Sequence, residues 1–289
     1  MGGISMKKYD VAIVGGGPAG VMAAYELVEK KPGLHVIVFE SGKDIYHRVC
    51  PISAGKVKSC IGCKPCSIMR GFGGAGAFSD GKYNFTTKFG GWLNEYLPDE
   101  EVMELIDYVD KINMKHGAPS QIFSTKNSDI GRLALQHDLH LLSASVRHLG
   151  TENNLRMLEQ TYEYLKEKVE FRFECPVAHI ESDGQGDNML ELANGEKIEA
   201  DFLVIAPGRA GAEWFSNECN RLGIEQENNR VDVGVRVEVP DEVWNDITSQ
   251  VYEAKLLYRT KQYGDFVRTF CMNPHGHVVM ENTDGITIT

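Results

Sequence analysis

The chain has 289 residues, 42% hydrophobic and 25% charged, with a formal net charge of −11. That length and composition bound it to one large domain or two ordinary ones, each able to bury a core. The acidic balance argues against nucleic acid and anionic membrane surfaces as partners, since lysine and arginine recognise both.

Residues 9–14 (YDVAIV) form a short apolar run that stops at glycines, the pattern of a buried parallel strand. The expected helix is residues 18–30 (PAGVMAAYELVEK), with Pro18 in its first turn. Residues 34–40 (LHVIVFE) predict the second strand of a βαβ unit. Nothing before residue 9 has the apolar core of a signal peptide, and no apolar run nears the ~18 residues of a membrane span. A cytoplasmic location is the expectation.

Residues 41–91 are rich in glycine and cysteine and show no sustained period. A loop of that length inside a compact domain is usually functional. Helices are predicted over 100–114, 128–136 and 151–168, the last on an apolar stripe of Leu155, Leu158, Tyr162, Leu165 and Val169. Strand character resumes at 169–173. A β-meander is predicted from short strands at 177–180, 189–192 and 197–199, with Asn194-Gly195 as a hairpin turn. Residues 202–206 (FLVIA) predict a buried strand, 214–222 a helix and 231–239 (VDVGVRVEV) an alternating strand; further antiparallel strands are expected at 251–258, 266–272 and 277–280.

Gly15, Gly17 and Gly20 make G-x-G-x-x-G between the first strand and the first helix, with Pro18 and Ala19 inside the motif. The glycines allow a tight turn, close backbone approach to a pyrophosphate, and close packing of helix on strand. The helix N-terminus offers unpaired N–H groups and a positive dipole end to phosphate. Glu40, followed by Ser41, ends the second strand, where a carboxylate accepts hydrogen bonds from ribose hydroxyls. The motif alone does not separate FAD from NAD, but the long loop and meander depart from a simple NAD domain.

On Gly15–Gly20, Glu40 and the return ADFLVIAPG (200–208), the chain resembles the large FAD-dependent oxidoreductases with a two-part FAD domain. Arg48-Val49-Cys50-Pro51, the cysteine run and residues 71–82 (GFGGAGAFSDGK), with Phe270-Cys271-Met272 and residues 231–240, make it similar to a narrower family of bacterial FAD-dependent dehydrogenases without an assigned substrate. Asn273 and His275 depart from that family's Cys and Gly.

The resemblance implies an α/β fold: a Rossmann-like FAD-binding domain with a β-meander (1–92 and 150–212) and a partly antiparallel α+β substrate domain (93–149 and 213–289). It implies FAD contacts from Arg48, from Gly73, Gly74, Ala75 and Gly76, from Val177, and from Ala206 and Gly208. Ser79, Asp80 and Lys82 become the candidates to face flavin or substrate. The expected activity is hydride transfer through flavin on a small-molecule substrate, with NAD(P)H a possible electron donor; a non-catalytic flavin-binding redox module is the alternative.

Cys50, Cys60, Cys63 and Cys66 are spaced by nine, two and two residues. Four such thiolates suit an iron–sulfur cluster or a zinc ion, a redox dithiol, or merely inert packing. His275 and His277 are further acid–base candidates, though surface histidines in the bland reading. Two-part FAD domains return to the sheet a third time on a strand ending in Gly-Asp. Gly264-Asp265 follows a polar segment, 258–263, so the chain is expected to lack that return and to leave an apolar sheet edge exposed.

Overall fold

In the computed structural model, residues 8–126, 128–182, 188–276, 278, 281–283 and 286–288 are described. The chain opens with β1 (Lys8–Val14), α1 (Pro18–Lys30) and β2 (Val36–Phe39). After the long loop come β3 (Lys82–Phe85), α2 (Asp99–Lys115), β4 (Phe123–Ser124), α3 (Ile130–Gln136), β5 (Leu139–Leu142) and β6 (Ser145–His148). There follow α4 (Thr151–Leu165), β7 (Glu170–Arg172), β8 (Val177–Ser182), β9 (Asn188–Leu192), β10 (Lys197–Ile205), α5 (Ala212–Leu222), α6 (Asp241–Thr248), β11 (Lys255–Arg259) and β12 (Phe266–Arg268). Two short strands, Glu281–Thr283 and Ile286–Ile288, pair with each other.

The chain divides into two compact units. The first runs to Ser79 and resumes over Asn154–Asp232; the second takes Asp80–Asn153 and Val233–Glu281. The first is an α/β unit on a six-stranded sheet of order β7-β2-β1-β10-β9-β8. Strands β2, β7 and β10 run parallel to their neighbours around β1, whereas β10-β9-β8 is an antiparallel meander. The core forms on one sheet face from Ala12, Val14, Ile37, Phe39, Leu190, Leu192 and Ile198. Every residue of β2 is buried, as a central parallel strand requires. The second unit is α+β, with two antiparallel sheets of order β12-β11-β5 and β3-β6-β4.

Several expectations change. Residues 197–199 and 202–205 belong to one strand, β10, which starts in the meander and ends beside β1. Its FLVIA stretch is not buried: Phe202 is 69% exposed and Leu203, Val204 and Ile205 are half-buried. The reason lies in the register, because β10 pairs with β9 only through Ala200. Beyond it, the outer edge of β10 has no ladder among the described residues. Gly264-Asp265 lies in the turn between β11 and β12, where Thr260 N–H donates to Asp265 O.

Residues 231–239 form no strand; Val231, Val233, Val235, Val237 and Val239 range from 41% to 94% exposed. Alternation supplies a strand's faces but not the neighbour whose amides complete its ladder. Conversely, β5 and β6 form without having been expected. On α4 the buried face is Asn154, Met157, Thr161 and Leu165, so the apolar stripe is rotated by about one residue to admit two polar side chains. Of the expected strand at 277–280, all but residue 278 lies outside the described residues, as do His277 and residues 1–7. No described helix is long and apolar enough to cross a membrane.

A buried ion pair of the second unit joins α2 to β6. Arg147 Nε and Nη2 donate to the two carboxylate oxygens of Asp110 at 2.6 and 2.7 Å, and Nη1 donates to Pro119 O. Both side chains are almost fully buried. Truncating one partner strands the other's charge in low dielectric. Asp110→Ala is therefore expected to destabilise this unit by about 3–5 kcal/mol, read from the urea midpoint of its unfolding transition.

Candidate functional site

The turn between β1 and α1 is shaped by contacts that only glycine permits. Gly15 has φ +104°, its N–H donates to Phe39 O at 2.8 Å, and a Cβ there would collide with the Ala206 carbonyl. A Cβ at Gly20 would collide with the Gly15 carbonyl. Gly17 differs: the nearest atom to a Cβ built there is Gly74 Cα, 3.9 Å away. Gly17 caps α1 with extended backbone, and no described side chain caps the helix. Pro18 and Ala19 are exposed, and the first turn carries no acidic residue. The first-turn amides and the positive helix end thus have no acidic side chain of their own turn beside them, the condition under which a helix N-terminus takes a phosphate.

Glu40 ends β2 with a buried carboxylate. Its Oε2 accepts Gly16 N–H at 2.7 Å; its Oε1 accepts Gly42 N–H at 2.7 Å, Gly71 N–H at 3.0 Å and Ser41 Oγ at 3.2 Å. Oε1 is saturated, whereas Oε2 keeps a lone pair beside the turn. Glu40 therefore has a structural task that its position alone does not reveal. It ties the glycine turn to the start of the glycine-rich loop.

Arg48 is neither a surface charge nor an open phosphate ligand. It is buried, and its Nε, Nη1 and Nη2 donate to the carbonyls of Ser67, Phe72 and Ile68 at 2.9, 2.5 and 2.7 Å. Its guanidinium also lies 4.8 Å from the Phe78 ring centre. Burial pushes it down to about 10 against the pull of the Glu40 carboxylate, so it stays charged at neutral pH.

The loop is fastened at further points. Phe72 is fully buried, with ring centres 4.9 Å from Tyr162 and 5.7 Å from Phe171. Phe72 N–H donates to Lys43 O, and Gly73 N–H to Gly16 O at 2.8 Å. Asn154 of α4, 1% exposed, donates from Nδ2 to Gly76 O at 2.8 Å and Ala77 O at 3.3 Å. Gly73, Gly74, Ala75 and Gly76 are thereby laid beside Gly17 and Pro18; a Cβ on Gly74 would stand 3.2 Å from Gly17 Cα. Ala206 and Pro207 lie against Gly15, with Gly208 next in the chain, and Arg70 Nη2 donates to Ala210 O at 2.8 Å. Val177 is buried in the apolar core of the sheet.

Among the three catalytic candidates, Ser79 closes the loop, its Oγ donating to Gly76 O at 2.7 Å. Asp80 and Lys82 belong to the second unit and enter a cluster with His148, Tyr252, Glu253 and Lys255. Tyr252 Oη lies 2.9 Å from Asp80 Oδ2 and 2.8 Å from His148 Nε2, and that nitrogen lies 2.9 Å from Asp80 Oδ1. Lys82 Nζ contacts Glu253 at 3.2 Å and donates to Met272 O at 2.5 Å and Asn273 Oδ1 at 3.1 Å. Burial pushes the Asp80 carboxyl up, but bonds from His148 and Tyr252 and the nearby Lys82 ammonium outweigh it and hold it low. Burial and the Asp80 carboxylate both push the Tyr252 phenol up.

Of the three readings of the cysteine run, the metal site is corrected. Cys50, Cys60, Cys63 and Cys66 are free thiols, and among the described residues no three His, Cys, Asp or Glu side chains converge to hold a metal. The segment lies on the surface, Cys60 being exposed. Gly62 N–H points to Cys60 Sγ at 3.5 Å, and the backbone N–H of Ser53 draws the Cys50 thiol down. His275 pairs with Asp241 at 2.7 Å on an exposed surface.

Residues 10–49 match the family model described as lycopene cyclase protein. No curated protein matches the chain. Among solved structures, glycine oxidase from Geobacillus kaustophilus aligns at 17% identity and TM-score 0.43, over 75% of this chain and 59% of that one. L-amino acid deaminase from Proteus vulgaris, lacking its specific insertion, aligns at 16% and 0.43, over 75% and 57%. A cyclohexanone monooxygenase mutant from Rhodococcus aligns at 16% and 0.33, over 70% and 26%. The chain thus spans under two thirds of each of these proteins.

Asn154, absent from the sequence-based candidates, supplies this site's clearest test of construction. Asn154→Ala removes the donor to two loop carbonyls in a buried setting, and each such loss costs about 1–3 kcal/mol. The expected outcome is faster amide exchange at Gly76–Ser79 with the sheet amides unchanged.

Proposed function

We propose that this chain is the FAD-binding portion of an oxidoreductase. The observation that carries the reading is the uncapped N-terminus of α1, open at Gly17 and bracketed by Glu40 and the glycine loop. In this reading the amides of Gly15–Gly20 and the helix end hold the pyrophosphate. Oε2 of Glu40, with its remaining lone pair, accepts a ribose hydroxyl. Gly73–Gly76, Ala206 and Gly208 line the cofactor, and Val177 supports it from the core. Arg48 and Asn154 act as positioning residues, because both spend their donors on loop carbonyls.

When bound, FAD would supply two-electron, hydride-accepting chemistry, and the protein's part is to orient it and exclude competing reactions. The substrate is a small molecule. NAD(P)H is one class of reductant to test, since no second G-x-G-x-x-G offers a separate nicotinamide site. The long loop and the meander support FAD over NAD, together with the family resemblance of residues 71–82.

The test is a calorimetric and spectroscopic titration of the purified chain with FAD and with NAD. FAD is expected to bind and turn the protein yellow. Glu40→Gln keeps one carbonyl oxygen but sacrifices an acceptor, and is expected to weaken FAD by about 1–3 kcal/mol, roughly five- to 150-fold. Binding of NAD without FAD by the folded protein contradicts the reading.

A further inference from the structure

The second unit holds a buried charge cluster that ends on a histidine nitrogen left uncommitted among the described residues. Lys82, Glu253 and Lys255 side chains are 10%, 5% and 3% exposed, and Glu253 receives both lysines, at 3.2 and 2.9 Å. Lys255 sits between the rings of Phe89 and Phe270, 4.6 and 4.5 Å from their centres. Asp80 lies 3.7 Å from Lys82. Two ammonium groups thus face two carboxylates, and the cluster is balanced when His148 is neutral.

The hydrogen-bond geometry fixes which nitrogen of His148 carries the proton. Asp80 Oδ1 and Tyr252 Oη both approach Nε2, at 2.9 and 2.8 Å. The ionised carboxylate only accepts, so Nε2 must be the donor to it. The Tyr252 hydroxyl in turn donates to Asp80 Oδ2 at 2.9 Å. The imidazole is also stacked on Tyr252, ring centres 4.0 Å apart, and Phe123 flanks it edge-on at 6.5 Å. With Nε2 protonated, Nδ1 is the basic nitrogen. Among the described residues no hydrogen bond reaches Nδ1, and it is not one of the buried unpartnered atoms, so it faces accessible space.

We infer that His148 is a general base whose Nδ1 takes a proton from a bound ligand presenting a weakly acidic O–H or N–H, such as an alcohol or amine. The proton moves from the ligand's heteroatom to Nδ1. His148 becomes an imidazolium, and the Asp80 carboxylate across the ring stabilises the new charge without itself being protonated. Asp80 and Tyr252 are positioning residues: they lock tautomer and ring plane, as in other carboxylate–imidazole pairs. Lys82, 3.7 Å from Asp80, shares that carboxylate with the imidazole.

Diethyl pyrocarbonate, which acylates unprotonated imidazole nitrogen, tests this without cofactor. The whole chain is treated across pH 5–8 and each histidine is followed by peptide mass spectrometry. His148 is expected to react despite its low exposure. Asp80→Asn, which removes the carboxylate that Nε2 donates to, is expected to slow acylation of His148 relative to the other histidines. Tyr252→Phe, which keeps the ring stack, is expected to react at an altered rate with a native fold by circular dichroism. An unreactive His148, or a rate identical in wild type and both variants, overturns the inference. Because this readout needs no flavin, its failure is separate from a failure to bind FAD.

Discussion

The arrangement of the first unit depends on one constraint: a glycine-rich loop must lie against the backbone turn between β1 and α1. Glycine backbone in such a loop gives up more conformational freedom than any other residue, so the loop needs fastening. Glu40 and Arg48 provide it from opposite sides, the carboxylate accepting Gly71 N–H and the guanidinium donating to Phe72 O. Both charges are buried, and each is offset by several backbone partners. Removing either group leaves polar backbone without a partner, in addition to losing the charge.

That constraint explains why so much of the unit converges on few residues. Phe72 anchors the loop in an aromatic group with Tyr162 and Phe171, joining it to α4 and β7. Asn154 reaches from the first turns of α4 to hold Gly76 and Ala77. Gly15 closes against Ala206, so the end of β10 helps shape the turn. The helix end stays open because these contacts are made by loop carbonyls and side chains elsewhere, not by a cap on α1.

Much of this was legible in the sequence, for identifiable reasons. The G-x-G-x-x-G spacing, the apolar β1 and β2 runs and Glu40 are local signals in which residue type and element agree, and each lies where it was expected. The meander was legible from short alternating runs and Asn194-Gly195. What could not be read was partnership. Residues 231–239 have an ideal strand alternation and no ladder. The four cysteines have metal-like spacing, but spacing along a surface loop does not make sulfur atoms converge. Asn154 and Thr161 sit on a buried helix face that a hydrophobicity pattern reads as polar. His148 and Tyr252 are far apart in sequence and meet only through β6 and the segment before β11.

The central claim, that the fastened loop and the open helix end form a cofactor cradle, is tested most directly by hydrogen–deuterium exchange with and without FAD. The account predicts added protection confined to the amides of residues 15–20, 40–42 and 71–77 and the return at 206–208. Protection of other segments instead, or none at saturating FAD, would contradict it.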